Sequence, residues 1–212
     1  MKESLSIDNY ILQHIDPEEE YLKRLYRETH VKILNPHMAS GHLQGCVLKM
    51  LTQMIAPQRV LEIGTYTGYS ALCIAAGLPA GGVLHTIERN DELEDFTRPW
   101  IEGSPQAPKI VLHFGNALTL APTLGETFDM VFIDGDKCEY RAYYEMLFPL
   151  VAPHGYMVAD NTLWDGHVID PAYDRDGQTL GIRDFNDTVA SDTRVEKVIL
   201  PLRDGLTLIR KK

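Results

Sequence analysis

The sequence is poor in cysteine, and its cysteines are not placed for a zinc site or a disulfide framework. Cys46, Cys73 and Cys138 are odd in number and widely spaced, which fits a reducing compartment. The N-terminal stretch MKESLSIDNYILQHI lacks the apolar segment and the cleavage site of a secretion signal. No apolar run approaches the length that crosses a membrane. We therefore expect a cytoplasmic protein with no membrane partner.

The sequence also has fewer basic than acidic residues. The chain has 20 Lys and Arg residues against 30 Asp and Glu residues, a net charge of −10 at pH 7. Such a charge repels phosphate backbones, so a nucleic-acid partner is disfavoured. A local basic groove from Lys23, Arg24, Arg27 and Lys32 stays open as an alternative to a solvated helix face.

Internal repeats, low-complexity tracts and long linkers are absent as well. At 212 residues with 44% hydrophobic content, the chain suits one well-buried core. We expect a single domain over 1–212, with a helical N-terminal extension (1–56) and an α/β core (57–212). Apolar residues at helical spacing predict helices over 7–15 and 43–54. The run Asp16-Pro17-Glu18 predicts the start of a helix between them, with Asp16 as its cap.

From Val60 onward, short apolar runs alternate with helical segments. VLEI, VLHTIE, KIVLHF, MVFID and YMVAD have the composition of strands, and apolar strands joined by crossovers indicate a parallel sheet covered on both faces. VEKVILPL and LTLIR flank the hairpin signal Asp204-Gly205. The sequence therefore predicts an α/β fold: a doubly wound, mostly parallel seven-stranded sheet with a C-terminal antiparallel hairpin.

In such a sheet, ligands bind beyond the carboxyl ends of the strands. The loop after the first strand, EIGTYTGYS, has Gly64 and Gly68 but neither the G-x-G-x-x-G of dinucleotide sites nor the G-K-[ST] of phosphate loops. Glu88, which ends the second strand, could accept both hydroxyls of a ribose, although a strand fraying into a polar loop also explains it. Together these features favour an adenosine cofactor without a pyrophosphate, and S-adenosylmethionine fits.

Polar residues follow two further strands at the same edge. Asp134 comes directly after MVFI, and Asp160 and Asn161 follow YMVA. Two carboxylates and an amide oxygen are the ligands that Mg²⁺ or Ca²⁺ prefers, and they do not suit zinc. As an alternative, Asp160 and Asn161 cap a turn while Asp134 pairs with Lys137 at the surface. The coincidence of both groups at one edge favours a metal site.

The motifs EIGTYTGYS, FIDGDK, VADNTLWDG, IRDFND and LPLRDGLTL are similar to those of metal-dependent O-methyltransferases of the caffeoyl-CoA and catechol type. The similarity runs from about Met38 to the C-terminus, and it implies a Rossmann-like methyltransferase fold. It also implies that the enzyme methylates a hydroxyl of a phenolic, vicinal-diol small molecule, using S-adenosylmethionine and Mg²⁺ (or Mn²⁺/Ca²⁺).

The resemblance assigns a role to individual residues. Lys137 is the catalytic lysine, and Trp164 faces the acceptor. Close to the divalent cation and partly desolvated, Lys137 should have a lowered pKa and act as the general base. The metal ligands it implies are Asp134, Asp160 and Asn161. The cofactor residues it implies are Met38, Glu62, Gly64, Tyr66, Ser70, Glu88, Ala117 and Asp134. The spacing around Met38, in MASGHLQG, is one residue longer than is usual for the family.

Other readings stay open at this point. Some similar proteins methylate hydroxyuridine in transfer RNA, and the local basic groove is compatible with that substrate. An NAD-dependent dehydrogenase is a second class, which the missing G-x-G disfavours. A non-catalytic cofactor-binding module is a third class. The amphipathic N-terminal helices, together with the resemblance, predict a homodimer.

Overall fold

Three α-helices precede the first strand, and helices then alternate with strands along most of the remaining chain. The computed structural model describes residues 6–212, and the first five residues of the predicted extension lie outside the described residues. Its helices are α1 (Ile7–His14), α2 (Glu20–Lys32), α3 (Gly41–Ile55), α4 (Tyr69–Gly77), α5 (Glu94–Glu102), α6 (Ala117–Leu120), α7 (Tyr140–Leu147) and α8 (Gly177–Ser191). Its strands are β1 (Arg59–Ile63), β2 (Val83–Glu88), β3 (Ile110–Phe114), β4 (Phe128–Ile133), β5 (Val151–Ala159), β6 (Val195–Leu200) and β7 (Leu206–Lys211).

The strands form one sheet in the order β3-β2-β1-β4-β5-β7-β6. The pairs β1–β2, β1–β4, β2–β3 and β4–β5 are parallel. Strand β7 is antiparallel to both β5 and β6. The chain therefore moves outward from β1 in one direction and then in the other, so its strand order reverses between β1 and β4, where ligands bind in such sheets. The predicted fold class is confirmed.

Both faces of the sheet are buried, which explains why its strands are apolar throughout. Along β4, Met130 and Phe132 pack on the side of α3 and α4, whereas Val131 and Ile133 pack on the side of α6, α7 and α8. Successive side chains of a strand point to opposite faces, so a covered sheet needs apolar residues at every position. Helix α3, from the predicted extension, contributes the buried Leu48 to this core.

Two helical segments differ from the sequence-based expectation. Helix α2 begins at Glu20 rather than at Asp16, because Glu18 accepts a hydrogen bond from the Tyr69 hydroxyl at 2.5 Å and the backbone oxygen of Asp16 lies 2.7 Å from His42 Nε2. These tertiary contacts hold the proline segment outside the helix. Helix α8 lies between β5 and β6, where no helix was predicted from the sequence, and Asp176 caps it by accepting from Thr179 N at 2.8 Å.

Helix α8 lies close against the segment that follows β4. A Cβ atom on Gly181 would lie 2.3 Å from the backbone oxygen of Lys137, so only glycine permits this approach. Helix α8 therefore fixes the position of the Lys137 backbone. Across residues 6–212, no helix combines the length and the apolar character that a membrane span requires.

Candidate active site

The glycine loop after β1 touches the end of β4. Gly64 has φ +95°, and a Cβ atom there would lie 2.0 Å from the backbone oxygen of Asp134. A side chain at residue 64 would therefore push the loop away from β4, in addition to the strain of its left-handed backbone. Gly68, with φ +91°, precedes α4. The loop predicted to bind the cofactor and the strand end predicted to bind the metal are thus adjacent.

Glu88 ends β2 and is almost fully buried. Its two oxygens accept backbone hydrogen bonds, from Tyr66 N at 2.7 Å and from Asn90 N at 2.8 Å. The carboxylate therefore fixes the glycine loop and its own following turn. An ionised carboxylate oxygen can accept a second bond, so the same group remains able to receive a ribose hydroxyl.

Lys137 follows β4 in a short 3-10 turn, and only 9% of the residue is exposed. Its Nζ donates to Asp134 Oδ1 at 2.8 Å and to the Gly135 backbone oxygen at 3.1 Å. Burial on its own would lower the pKa of Lys137, but the carboxylate of Asp134, followed by Tyr140, raises it above its usual value. In this arrangement the anionic partner holds the proton on Lys137. The expectation of a lowered pKa concerns the site with a divalent cation bound, and it stays a prediction.

Asp160 and Asn161 follow β5, beside β4 in the sheet. Asp160 is 4% exposed, and its oxygens accept from Asn161 N at 2.8 Å and from Gln44 Nε2 at 2.5 Å. Burial and the nearby negative charge of Asp134 raise the pKa of Asp160 to about 6. Asn161 has a left-handed backbone with φ +58°, and its Nδ2 lies 3.4 Å from Asp204 Oδ2. Its amide oxygen makes no hydrogen bond to the described residues.

A cavity of about 700 Å³ joins these elements. The predicted residues that line it are Met38, Gly64, Tyr66, Glu88, Ala117, Asp134, Lys137, Asp160, Asn161 and Trp164. Ser70 lines a smaller pocket that shares Met38, Gly64, Tyr66 and Asp134 with the main cavity. Glu62 lines neither, because it is fully buried in β1. The structure therefore brings most of the predicted site residues to one place, while their roles stay predictions.

The wall of the cavity at Trp164 and Asp165 has unusual backbone geometry. Trp164 and Asp165 both have left-handed φ values, +47° and +49°. The amide of Trp164 donates to the backbone oxygens of Asn161 and Asp204, each at 3.1 Å. Non-glycine residues in this region cost roughly 1–2 kcal/mol each and persist where surrounding contacts impose them. The turn thus holds the Trp164 side chain, half-buried, against the cavity.

Comparisons with known proteins identify the family. The family model described as O-methyltransferase matches residues 13–212. The chain belongs to this family. It is 35% identical to caffeoyl-CoA O-methyltransferase 2 of Eucalyptus globulus over 225 aligned positions, which cover 99% of this chain and 90% of that relative. The resemblance and the prediction of an S-adenosylmethionine-dependent O-methyltransferase are confirmed.

Solved O-methyltransferases share the fold at full length. An O-methyltransferase from Bacillus cereus, in complex with S-adenosylhomocysteine, has a TM-score of 0.90 and 29% identity, with 97% of each chain covered. The O-methyltransferase TomG of Streptomyces achromogenes, in complex with S-adenosylmethionine, has a TM-score of 0.89 and 29% identity, with 97% of this chain and 96% of that chain covered. This membership displaces the dehydrogenase and the non-catalytic module as alternatives.

Two residues in contact with the candidate site were not predicted from the sequence. Gln44 of α3 bonds Asp160, and Arg203 of the β6–β7 hairpin bonds Gln44. The signal for Gln44 was present, because it shares the buried face of α3 with Leu48 and Thr52 at a spacing of four residues. A glutamine in an apolar stripe indicates a buried polar partner. Arg203 has no such signal, since it lies in a turn.

Glu62 is the most perturbed carboxyl group beneath the site. Burial raises its pKa to about 8, while the nearby Ser70 and Thr86 hydroxyls act in the opposite direction. Thr86 Oγ1 donates to Oε2 at 2.6 Å, and Oε1 has no hydrogen-bond partner. The folded protein therefore retains a proton on Glu62 at pH values where an exposed glutamate has lost it.

Glu62 makes stability depend on pH. Because its pKa is about 8 in the folded state against an ordinary 4.5, its contribution is fully present below pH 4.5 and is lost as the pH rises to 8, by at most about 1.4 kcal/mol per pH unit. We expect urea unfolding of the ligand-free protein to show the free energy of unfolding of the wild type falling relative to Glu62→Gln over this range. Glu20→Gln, at a side chain 80% exposed, serves as the control. Parallel profiles for wild type and Glu62→Gln would contradict the assignment.

Proposed function

We propose that this O-methyltransferase transfers the methyl group of S-adenosylmethionine to a hydroxyl of a small phenolic vicinal diol, with a divalent ion bound at the ends of β4 and β5. One observation carries the proposal. The wall of a single cavity includes the glycine loop, Glu88, both carboxylates Asp134 and Asp160, and Lys137. Cofactor groups and acid–base groups therefore face the same space.

The cofactor assignment rests on the edge formed by β1, β2 and β3. Glu88 presents a carboxylate where a ribose would lie, and Ala117 provides a small apolar contact after β3. The absence of a pyrophosphate-binding glycine pattern fits a nucleoside without one. Two solved relatives described above hold S-adenosylhomocysteine or S-adenosylmethionine, which supports the same ligand here.

The donor set at β4 and β5 fits a hard divalent ion. Two carboxylates and one amide oxygen line the cavity, at Asp134, Asp160 and Asn161. Within residues 6–212, no group of three His, Cys, Asp or Glu side chains is arranged to hold a metal. The proposed site therefore depends on the Asn161 oxygen and on water or acceptor oxygens, as Mg²⁺ sites commonly do. A bound Mg²⁺ (or Mn²⁺/Ca²⁺) would lower the pKa of an acceptor hydroxyl and orient its neighbour.

The chain's own residues supply alignment and proton transfer. The acceptor oxygen attacks the methyl carbon in line with the sulfur, so the O–C bond forms as the C–S bond breaks and S-adenosylhomocysteine leaves. The hydroxyl proton passes to Nζ of Lys137, which must be neutral at that moment. Lys137 is a charged partner of Asp134 in this structure, so it becomes a base only when the charge of Asp134 is engaged elsewhere.

The charge of the cavity favours an acceptor without phosphate groups. Three cationic side chains line it: Arg89, Lys137 and Arg203. Six acidic side chains line it: Glu88, Asp134, Asp136, Asp160, Asp165 and Asp204. Arg89 is already near Asp136, with its Nη1 3.7 Å from the Asp136 carboxylate. A free diol is therefore favoured over a coenzyme A thioester, the acceptor named for the Eucalyptus relative, and over hydroxyuridine in transfer RNA.

Acceptor selectivity tests this proposal. With Mg²⁺ and S-adenosylmethionine, we expect kcat/KM for a neutral catechol to exceed that for a one-hydroxyl phenol and for a caffeoyl thioester of coenzyme A by at least about tenfold, or ~1.4 kcal/mol. The second oxygen of a diol would also bind the metal ion, which a one-hydroxyl phenol cannot offer. The acidic side chains of the cavity would repel the phosphates of coenzyme A. Methyl incorporation from labelled S-adenosylmethionine measures it. Preferred methylation of hydroxyuridine-containing RNA, or no transfer to any diol, would contradict the proposal.

Removal of the proposed base tests the role of Lys137. We expect Lys137→Ala to slow the chemical step by about 10²–10⁴-fold, while the dissociation constant for S-adenosylmethionine is unchanged. Lys137→Arg should not restore the rate, because a guanidinium stays protonated. Lys109→Ala is the matched control, since Lys109 Nζ donates to the Leu78 backbone oxygen at 2.8 Å and lies outside the cavity wall. Near-normal single-turnover rates in Lys137→Ala would remove this role.

A homodimer is the proposed assembly. The N-terminal helices and the turn after α2 leave large apolar side chains exposed: Ile7, Tyr10, Val31, Leu34, Met50 and Met54. Exposed apolar surface of this kind is typical of protein interfaces. Sedimentation equilibrium should give twice the chain mass of 23.9 kDa, and a single-chain mass at micromolar concentration would contradict the proposal. The predicted cytoplasmic location stays a prediction.

A further inference from the structure

Gln44 connects a surface arginine to a buried carboxylate of the site. Its Nε2 donates to Asp160 Oδ2 at 2.5 Å, and its Oε1 accepts from Arg203 Nη1 at 2.5 Å. Gln44 is 1% exposed on α3, whereas Arg203 is exposed in the β6–β7 hairpin. We call these three residues the Gln44 bridge. It links three elements that are distant in sequence: α3, the end of β5 and the hairpin.

The chemistry of the two end groups fixes the orientation of the central amide. An arginine has only donors, and an ionised carboxylate has only acceptors. The Gln44 oxygen must therefore face Arg203, and its NH₂ group must face Asp160. Without Arg203, the Gln44 oxygen would lose its donor, and only the carboxylate of Asp160 would still favour this orientation of the amide.

The carboxylate of Asp160 is held by one donor on each oxygen. Asn161 N donates to Oδ1, and Gln44 Nε2 donates to Oδ2. These two bonds set the plane of the carboxylate, while each oxygen keeps a second acceptor position for a ligand. The Asn161 bond comes from the adjacent backbone amide. Gln44 supplies the only side-chain donor to this carboxylate among the described residues.

Arg203 is held in place at some cost to its backbone. It has φ +48°, a left-handed conformation that non-glycine residues rarely adopt. Its Nη1 also donates to the backbone oxygen of Ser40, at the residue before α3. Strained residues persist where several contacts impose them, and they cluster at functional sites. The turn that imposes this conformation is closed by Gly205 N, which donates to the Leu202 backbone oxygen at 2.9 Å. The contacts to Ser40 and Gln44 then hold the Arg203 side chain against α3.

We propose that Gln44 and Arg203 are positioning residues for the metal site. Arg203 orients the Gln44 amide, and Gln44 orients the Asp160 carboxylate that, in the proposed function, binds the divalent ion. The inference rests on that proposed function. It also gives α3 a role in the site, because α3 supplies the one side-chain donor to Asp160 among the described residues, beside the backbone donor Asn161 N. The metal ligands themselves are unchanged by this proposal.

Binding of Mn²⁺ to the ligand-free protein, followed by electron paramagnetic resonance, tests the Gln44 bridge without using activity. Gln44→Met, which preserves volume and removes the donor, should weaken Mn²⁺ binding about 10–100-fold, the range for partners that orient metal ligands. Arg203→Met should weaken it less. The double variant should match Gln44→Met, because Arg203 acts through Gln44. The dissociation constant for S-adenosylmethionine should be unchanged in all three.

Controls separate positioning from general damage. Arg210→Met removes an exposed arginine on β7 that pairs with Glu196 at 3.0 Å, and it should leave Mn²⁺ affinity unchanged. Arg203 is exposed, so Arg203→Met gives a folded variant even if Gln44→Met does not. Unchanged Mn²⁺ affinity in folded Gln44→Met or Arg203→Met, or additive losses in the double variant, would overturn the bridge alone. A wild type that binds S-adenosylmethionine but no Mn²⁺ would overturn the proposed function and the bridge together.

Discussion

Gly64 and the backbone oxygen of Asp134 approach so closely that a Cβ atom at residue 64 would lie 2.0 Å from that oxygen. This contact joins the loop after β1 to the end of β4, at the place where the strand order reverses. Glu88 then holds the same loop through Tyr66 N, and α8 presses on Lys137 through Gly181. The loop predicted to bind the cofactor and the predicted acid–base residues therefore lie at one edge of the sheet, and an in-line methyl transfer needs such a fixed arrangement.

Acidic side chains outnumber basic ones at this edge. Each carboxyl group is stabilised in a different way. Glu88 accepts two backbone amides, Asp134 accepts the ammonium of Lys137, and Asp160 accepts an amide held by Arg203. Glu62 stays protonated, because burial raises its pKa to about 8. A buried ionised group without a partner would cost several kcal/mol. Asp134 and Asp160 remain close enough to repel each other, so a divalent cation bound between them would relieve that repulsion.

The strands could be predicted because a sheet covered on both faces demands continuous apolar runs. The antiparallel pair at the C-terminus could be predicted because Asp204-Gly205 identifies a hairpin. The position of Asp134, Asp160 and Asn161 directly after such apolar runs also predicted that they lie at one edge of the sheet, and they line one cavity there. Other features depend on contacts between distant segments. Helix α8 was not predicted, and the close approach of Gly181 to the Lys137 backbone is a contact between distant segments that the sequence pattern does not show. The raised pKa of Lys137 follows from the nearby carboxylate of Asp134. The role proposed for Arg203 depends on the contact of the hairpin with α3.

The dependence of methyl transfer on a divalent ion tests the central claim most directly, that the ends of β4 and β5 form a metal-assisted O-methyltransferase site. Transfer to a catechol acceptor is measured after chelation with EDTA and then during titration with Mg²⁺, while calorimetry follows S-adenosylmethionine binding in both states. The account predicts no turnover in EDTA, full recovery with Mg²⁺, and cofactor binding that persists throughout. Full turnover in EDTA would show that Asp134, Asp160 and Asn161 are polar residues at strand ends with no metal-binding role in catalysis.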